Sequence, residues 1–321
     1  MIKIQVLISI IISLYILYKY RSLGACQVYK TPFHLLQAIP SEDVVELFDI
    51  DEYEEFFIEE TPLSSISTTA PMQIHQQKPL TLSDLKKSHS NEIRSKNLPI
   101  VVGKDMSTGD IVIEDLAKMP HLLVGGATGR GKSNMMNTII DTLDGCATMV
   151  DLILFDPSDV EFYKHRKREK VTLMKDDREF LEELLSVRVE MERRKELFQN
   201  IEVVNIEAHN NESKDFLAYK VIVIDEFAQI FDNEEIRKEL SCIARLGRKF
   251  GIHLILGTQR PDSKIIDAQI RANIPVSIAL GVRDKGNARV LNAPGAELLK
   301  KPGLAIFAGS ELLKVRTPLE D

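Results

Sequence analysis

A chain of 321 residues is long enough to bury a full hydrophobic core, and the simplest arrangement is one α/β domain of about 200–230 residues with a smaller segment. The formal net charge of −7 argues against a uniformly basic nucleic-acid-binding protein, although Lys and Arg could still be concentrated on one surface. Three cysteines without CxxC spacing favour a reducing compartment and argue against a structural zinc site.

The N-terminus carries an almost uninterrupted apolar run, IQVLISIIISLYILY, between Lys3 and Lys19. As a helix it would span roughly 22 Å, short of the ~30 Å hydrocarbon core of a bilayer, and the flanking tyrosines and basic side chains could supply the difference. A cleaved signal peptide and a buried core helix are the alternatives. Residues 1–22 are therefore predicted to anchor the chain in the cell membrane as a single pass. Lys19 and Arg21 after the run place the rest in the cytoplasm.

Residues 23–98 are predicted to form an acidic segment followed by a polar linker. The stretch SEDVVELFDIDEYEEFFIEE interleaves carboxylates with large apolar residues, which is typical of an amphipathic helix or solvated face. A docking segment for a partner is the alternative. Residues 63–98 are rich in Ser, Thr, Gln and Lys, as linkers are.

Residues 99–321 are predicted to form an α/β domain. Two β-rich runs flank a Ser-Thr-Gly-Asp turn, which indicates a hairpin. Short apolar runs then alternate with helical segments; the runs are HLLVG, MVDLILFD, YKVIVID, IHLILGT, VSIALGV and LAIFAG. Strands that alternate with helices predict a mainly parallel sheet between helices.

The segment after the first of these runs matches the pattern G-x-x-x-x-G-K-[ST], between a predicted strand and a predicted helix. Its residues are Gly126, Ala127, Thr128, Gly129, Arg130, Gly131, Lys132 and Ser133. Glycines allow backbone N–H groups to close around phosphate oxygens, and the helix N-terminus adds partial positive charge. Lys132 would bridge the β- and γ-phosphates of ATP, and the Ser133 hydroxyl would coordinate Mg²⁺. A glycine-rich packing turn is the alternative.

Two further strand ends carry polar residues suited to the same chemistry. Asp225 and Glu226 follow the apolar run VIVI, where Asp225 could hold Mg²⁺ through its water shell and Glu226 could polarise the attacking water. Gln259, at the end of IHLILGT, could sense the γ-phosphate or orient that water. A solvated acidic pair and a simple turn are the respective alternatives.

The strings around these motifs resemble the motor domain of the FtsK/SpoIIIE family of DNA translocases. They include GKDMSTGDIVIEDLAKMPHLLVGGATGRGKS, LILFDPSDVEF, VRVEMERRKELF, VIVIDEFAQI and IARLGRKFGIHLILGTQRPDSKIIDAQIRANIPVSIALGV, and they cover about residues 99–309 in order. The resemblance implies a RecA-like P-loop NTPase that uses ATP and Mg²⁺ to move DNA. It also implies that Lys132, Ser133, Asp225, Glu226 and Gln259 take the family's roles in phosphate binding, Mg²⁺ coordination, water activation and phosphate sensing.

The resemblance further implies a homo-oligomer, a hexameric ring in which a neighbouring subunit supplies an arginine to the ATP site. Arg289 is favoured for this role because it lies nearest the family's position; Arg245, Arg248 and Arg271 are the other candidates. One departure is Ser158, which stands after Asp156-Pro157 where the family often has lysine. The basic run YKHRKREK (163–170) is either a DNA contact or a solvated loop.

A single apparent membrane segment and a motor domain with no winged helix after it are similar to the coupling proteins of conjugative plasmids and integrative elements. The resemblance thus implies a membrane-anchored DNA translocase that receives DNA from a relaxase and delivers it to a transfer channel. A type VII secretion-like ATPase that moves protein is one alternative. A plasmid or phage replication accessory ATPase is another.

Overall fold

The computed structural model of the chain describes residues 79–119, 121–266 and 268–320. The predicted membrane segment (1–22) and the acidic segment and linker as far as residue 78 lie outside these ranges. Within them, no helix combines the length and the apolar character that crossing a membrane requires.

Ten strands of the described residues form one sheet. They are β1 (Pro99–Asp105), β2 (Ile111–Asp115), β3 (Leu122–Gly125), β4 (Val150–Phe155), β5 (Val171–Met174), β6 (Tyr219–Ile224), β7 (Ile252–Thr258), β8 (Val276–Leu280), β9 (Leu304–Ala308) and β10 (Leu312–Arg316). Their order is β2-β1-β10-β9-β8-β3-β7-β6-β4-β5. Neighbouring strands are parallel within the part β8-β3-β7-β6-β4-β5. The strands β9, β10, β1 and β2 continue the sheet beyond β8, and each is antiparallel to its neighbours.

Helices cover both faces of the parallel part. In chain order they are α1 (Leu82–Ser88), α2 (Ser90–Arg94), α3 (Lys132–Asp144), α4 (Asp177–Asn200), α5 (Ile206–Glu212), α6 (Glu234–Leu246), α7 (Ala268–Asn273) and α8 (Lys285–Val290). Successive residues of β6 alternate between the two layers: Val221 and Val223 pack in the cluster that contains α3, and Ile222 and Ile224 pack in the cluster that contains α6 and most of α4. The prediction of an α/β fold with a mainly parallel central sheet is confirmed.

The structure adds elements that the sequence patterns did not reveal. The predicted hairpin is present as β1 and β2, but β5 and β10 were not predicted, because one is a short edge strand and the other mixes apolar with charged residues. The last part of the predicted linker forms α1 and α2, which bury Leu82, Leu85 and Ile93 against β1 and β2. Within residues 79–98, scattered leucines and isoleucines therefore hold a polar segment on the domain.

A buried arginine fixes α4 to the residues that precede the central strands β6 and β7. Arg194 is 2% exposed. Its guanidinium donates to the carbonyl oxygens of Phe250 (2.6 Å), two residues before β7, and Ala218 (2.8 Å), the residue before β6, and to Glu190 Oε1 (2.7 Å). Hydrogen bonds from Arg193 and Arg194 hold the pKa of the Glu190 carboxyl at about 2. Because Arg194 is buried and its two carbonyl partners are partly buried, the position of the helix depends on this side chain.

Replacing Arg194 with methionine is expected to lower the free energy of unfolding by about 2–4 kcal/mol, because two backbone carbonyls and a carboxylate lose a buried charged donor. Chemical denaturation of the full chain measures this. The neighbouring Arg193→Met variant is the matched control: Arg193 also binds Glu190 but is exposed, so its loss should cost about 1 kcal/mol or less.

A similar loss of stability in both variants would contradict this account of Arg194.

The Glu190→Gln variant tests how the stability contributed by Glu190 depends on pH. Because the pKa of Glu190 is lowered from 4.5 to about 2 in the folded chain, its contribution is present above about pH 4.5 and is lost as the pH falls towards about 2. The stability difference between Glu190→Gln and the wild type should shrink over that range.

Candidate nucleotide-binding site

The predicted loop residues, Asp225, Glu226 and Gln259 lie together at the carboxyl ends of the parallel strands β3, β7 and β6, which are neighbours in the sheet. The glycine-rich loop follows β3, Gln259 follows β7, and Asp225 with Glu226 follows β6. In open α/β sheets the carboxyl ends of the strands are the usual place for a ligand. Three motifs that are separated by up to about 130 residues in sequence are thus brought into contact.

The glycine-rich loop is seated on the neighbouring strands and leads directly into α3. Gly126 N–H donates to Thr258 O of β7 (3.2 Å), and Ala127 N–H donates to Gly281 O after β8 (2.9 Å). Gly129 and Gly131 have φ angles of 79° and 103°, which L side chains rarely adopt.

The loop fits a phosphate. The N–H groups of Thr128, Gly129 and Gly131 have no acceptor among the described residues, and α3 begins at the next residue, Lys132. Unpaired amides in a left-handed loop at a helix N-terminus form a concave anion site.

A buried ion pair connects the loop to β6. Lys132, 5% exposed, donates from Nζ to Asp225 Oδ1 (2.5 Å) and to Asp225 O (2.8 Å). Burial raises the pKa of the Asp225 carboxyl above its usual range, Lys132 opposes this, and the nearby Glu161 and Asp156 carboxylates raise it further. A further positive charge beside Asp225 would therefore stabilise the ionised form of its carboxyl group.

The donor set fits Mg²⁺ that arrives with a nucleotide. The described residues contain no cluster of three or more His, Cys, Asp or Glu side chains able to hold a metal alone. Ser133, in the first turn of α3, and Asp225 supply oxygen donors, and Mg²⁺ commonly completes its octahedron with phosphate and water oxygens. These residues would thus hold the ion together with ATP.

Glu226 is held by two donors from the end of β7. Its Oε1 accepts from Thr258 Oγ1 (2.8 Å) and its Oε2 from Gln259 N–H (2.7 Å). The Gln259 side chain accepts from Thr128 Oγ1 of the glycine-rich loop (2.8 Å). A chain of hydrogen bonds therefore runs from the predicted base through the predicted sensor to the predicted phosphate loop. Thr258 as the holder of Glu226 was missed, because the pairing depends on neighbouring strands rather than on spacing.

Ser158 closes a tight turn at the next strand end. Asp156, fully buried after β4, accepts from Ser158 N–H (3.0 Å) and Ser158 Oγ (2.6 Å) with Oδ1, and from Val160 N–H and Phe162 N–H with Oδ2. The sequence Asp-Pro-Ser is typical of such a turn. Ser158 thus has a local structural role at the position where lysine was expected from the resemblance.

The candidate arginines are wholly or partly exposed to solvent. Arg289 is exposed on α8, which is tied to the Gln259 segment by a hydrogen bond from Asn287 Nδ2 to Pro261 O (2.9 Å). Arg245 and Arg248 are exposed at the end of α6, and Arg271 is half-buried on α7. No contact recorded for the described residues joins these arginines to the site within one subunit. A role for Arg289 in a neighbouring site stays a prediction.

Two of the five Lys and Arg side chains in the basic run 163–170 form ion pairs. Arg168 pairs with Asp141 (2.6 Å) and Asp144 (3.2 Å), Lys164 pairs with Glu320, and Arg166 stacks on Tyr163 with its guanidinium carbon 3.4 Å from the ring centroid. His165 is fully buried, and burial lowers its pKa to about 4. These contacts give Lys164, His165 and Arg168 a structural role, whereas Arg166, Lys167 and Lys170 are exposed, so a DNA contact through this loop stays a prediction.

Comparison with known proteins identifies relatives of most of the chain. The sequence profile of the FtsK/SpoIIIE family matches residues 81–263. The DNA translocase FtsK of Chlorobaculum tepidum is 35% identical over 258 residues, which cover 75% of this chain and 32% of that protein. The Haemophilus influenzae FtsK is 37% identical over 268 residues, 70% of this chain and 50% of that protein. This chain therefore spans about a third to a half of the length of these relatives.

Solved structures with similar folds include a conjugation protein. The pCW3 conjugation coupling protein TcpA, in a monomer form with ATPγS, is 26% identical with a TM-score of 0.64, covering 72% of this chain and 68% of that one. EssC (ATPases 2 and 3) from Geobacillus thermodenitrificans has the same TM-score at 19% identity, covering 69% of this chain and 44% of that one. The second likeness is one of fold alone.

Glu226→Gln is expected to reduce ATP hydrolysis about 10²–10⁴-fold while ATP still binds, because glutamine keeps the shape of the side chain but cannot accept a proton from water. Steady-state hydrolysis and the binding of a fluorescent ATP analogue measure the two effects separately. Lys132→Ala is the contrasting variant and should weaken binding itself. A Glu226→Gln chain that hydrolyses ATP at the wild-type rate would remove Glu226 as the base.

Proposed function

We propose that this chain, which belongs to the FtsK/SpoIIIE family of ATPases, is a membrane-anchored motor that translocates DNA and delivers it to a conjugative transfer channel. The observation that carries the proposal is the assembled edge of the sheet, in which the glycine-rich loop, Asp225, Glu226 and Gln259 meet in a domain related to FtsK. The likeness to TcpA, described as a conjugation coupling protein, supports the choice of conjugation.

Each site residue has a distinct task in ATP hydrolysis. Bound ATP with Mg²⁺ supplies the phosphoanhydride bond whose cleavage drives movement. The loop amides and Lys132 bind the phosphates, and Ser133 with Asp225 holds the ion. Glu226, oriented by Thr258, accepts a proton from the attacking water.

Gln259 suits a sensor because its side chain already contacts the phosphate loop through Thr128. Its backbone N–H binds Glu226 Oε2 at the same time. A shift of the loop on loss of the γ-phosphate would therefore reach the base and the end of β7 through one residue. In the proposed hexameric ring, Arg289 of a neighbouring subunit would approach the same phosphates.

DNA is the proposed cargo, with a relaxase and transfer-channel proteins as proposed partners. The relatives described as DNA translocases support DNA as the substrate. Residues 1–22 would hold the motor at the cytoplasmic face of the cell membrane, where a transfer channel opens. The likeness to EssC is one of fold alone and therefore gives no support for a protein cargo.

The full chain is expected to hydrolyse ATP several-fold faster when DNA is added, because a translocase couples its cycle to the polymer. Hydrolysis is measured with double-stranded and single-stranded DNA, and movement by displacement of a third strand from a DNA triplex. Lys132→Ala is the control that should bind DNA without moving it. A wild-type chain whose hydrolysis neither DNA form changes, and which displaces no strand, would contradict the proposal.

The full chain is also expected to sediment with membranes and to resist extraction by high salt. Salt weakens surface charge contacts but leaves apolar insertion intact. Replacing Ile8, Ile12 and Leu14 with aspartate in the apolar run should release the chain, whereas replacing Ser9 and Ser13 with alanine should not. Equal fractionation of both variants would show that this run is not the anchor.

A further inference from the structure

The C-terminal residues 317–320 are connected to the glycine-rich loop through Gly303. Thr317 N–H donates to Gly303 O (2.8 Å), and Gly303 N–H donates to Arg130 O (3.1 Å). Arg130 directly precedes Gly131, the residue before α3. Gly303 therefore connects the C-terminal residues to the backbone of the loop.

The same residues are held from the helix side by Asn134. Its Nδ2 donates to Pro318 O (2.7 Å), and its Oδ1 accepts from Glu320 N–H (2.8 Å). One side-chain amide thus satisfies a carbonyl and an N–H of an extended chain. Asn134 follows Ser133 directly, so the contact is made within the first turn of α3.

The C-terminal residues are themselves anchored to the start of the domain. Leu82 N–H donates to Leu319 O (2.9 Å), and Leu319 N–H donates to Leu80 O (2.7 Å). Thr317 is 3% exposed, and the Glu320 carboxylate pairs with Lys164. Residues 317–320 are therefore a fixed reference against which the first turn of α3 can be held.

We propose that Asn134 is a positioning residue for Mg²⁺–ATP, which sets the Ser133 hydroxyl by holding the first turn of α3 to residues 317–320. The first turn of a helix has N–H groups without intrahelical partners, so its position depends on contacts from outside the helix. Two such contacts come from Asn134, and the third, through Gly303, fixes the loop on the other side of Lys132. The inference rests on the proposed use of ATP at this site.

The test compares Asn134→Leu with Asn137→Leu in the full chain. Leucine has a similar size but makes no hydrogen bond. Asn137 lies one turn further along α3 and binds His165 and Glu161 O, so its replacement removes contacts of the same kind that do not involve residues 317–320. The affinity for a fluorescent ATP analogue is measured with Mg²⁺ and with EDTA.

Asn134→Leu is expected to weaken the affinity in Mg²⁺ about tenfold, the effect of losing one to two net hydrogen bonds, and to leave the affinity in EDTA near wild type. Asn134→Asp keeps the acceptor for Glu320 N–H, so its affinity in Mg²⁺ should lie between those of Asn134→Leu and the wild type. This variant replaces Asn134→Leu in the test if the leucine variant does not fold. Asn137→Leu should lower thermal stability without a Mg²⁺-dependent loss of affinity.

Unchanged affinity in Asn134→Leu, or an equal loss with Mg²⁺ and with EDTA, would overturn the inference and leave the proposed function intact. A wild-type chain that binds no ATP analogue would overturn both. The two failures are therefore distinguishable.

Hydrogen exchange tests the same coupling in the opposite direction. If residues 317–320 position the Mg²⁺ site, then Mg²⁺–ATP should slow amide exchange of Leu319 and Glu320 in the wild type, because coupling between two sites is reciprocal. ATP in EDTA should have a smaller effect, and Asn134→Leu should abolish the difference. Exchange that does not respond to Mg²⁺–ATP in the wild type would contradict the proposal.

Discussion

The buried contact between Lys132 and Asp225 is the interaction on which the geometry of the site depends. It joins the first residue of α3 to the residue after β6, across the end of the intervening strand β7. Two strand spacings are roughly 10 Å, so a short side chain could not bridge them. The strand order β3-β7-β6 and a long basic side chain are thus required together, and removing one partner would leave a buried charge at a cost of about 3–5 kcal/mol.

The hydrogen bonds of Glu226 add orientation to this charge pair. Thr258 and Gln259 N–H occupy both carboxylate oxygens, while the Gln259 side chain contacts Thr128. The end of β7 therefore lies between the glycine-rich loop after β3 and the acidic pair after β6, and it contacts both. Arg194 binds carbonyls just before β6 and β7, so the same two strands are fixed at their opposite ends.

The sequence was sufficient for the elements whose signals are local. Apolar runs of four to seven residues predicted β3, β6 and β7, and the family resemblance is confirmed by the relatives. Contacts between distant residues could not be read in this way. Asn134 contacts Pro318 across 184 positions, and Arg168 and Lys164 of the basic run pair with Asp141 and Glu320, which no spacing rule connects to them. The roles of the site residues in catalysis stay predictions.

The pairing of Leu80 with Leu319 has a consequence for how this domain can be rearranged. Because its first and last described residues lie on adjacent chain segments, a short linker could join them and the chain could be opened elsewhere. An opening in the exposed turn near Ser213–Phe216 would interrupt no strand of the sheet. The domain is thus suited to circular permutation and to insertion into a longer polypeptide, because both connections would start from neighbouring positions.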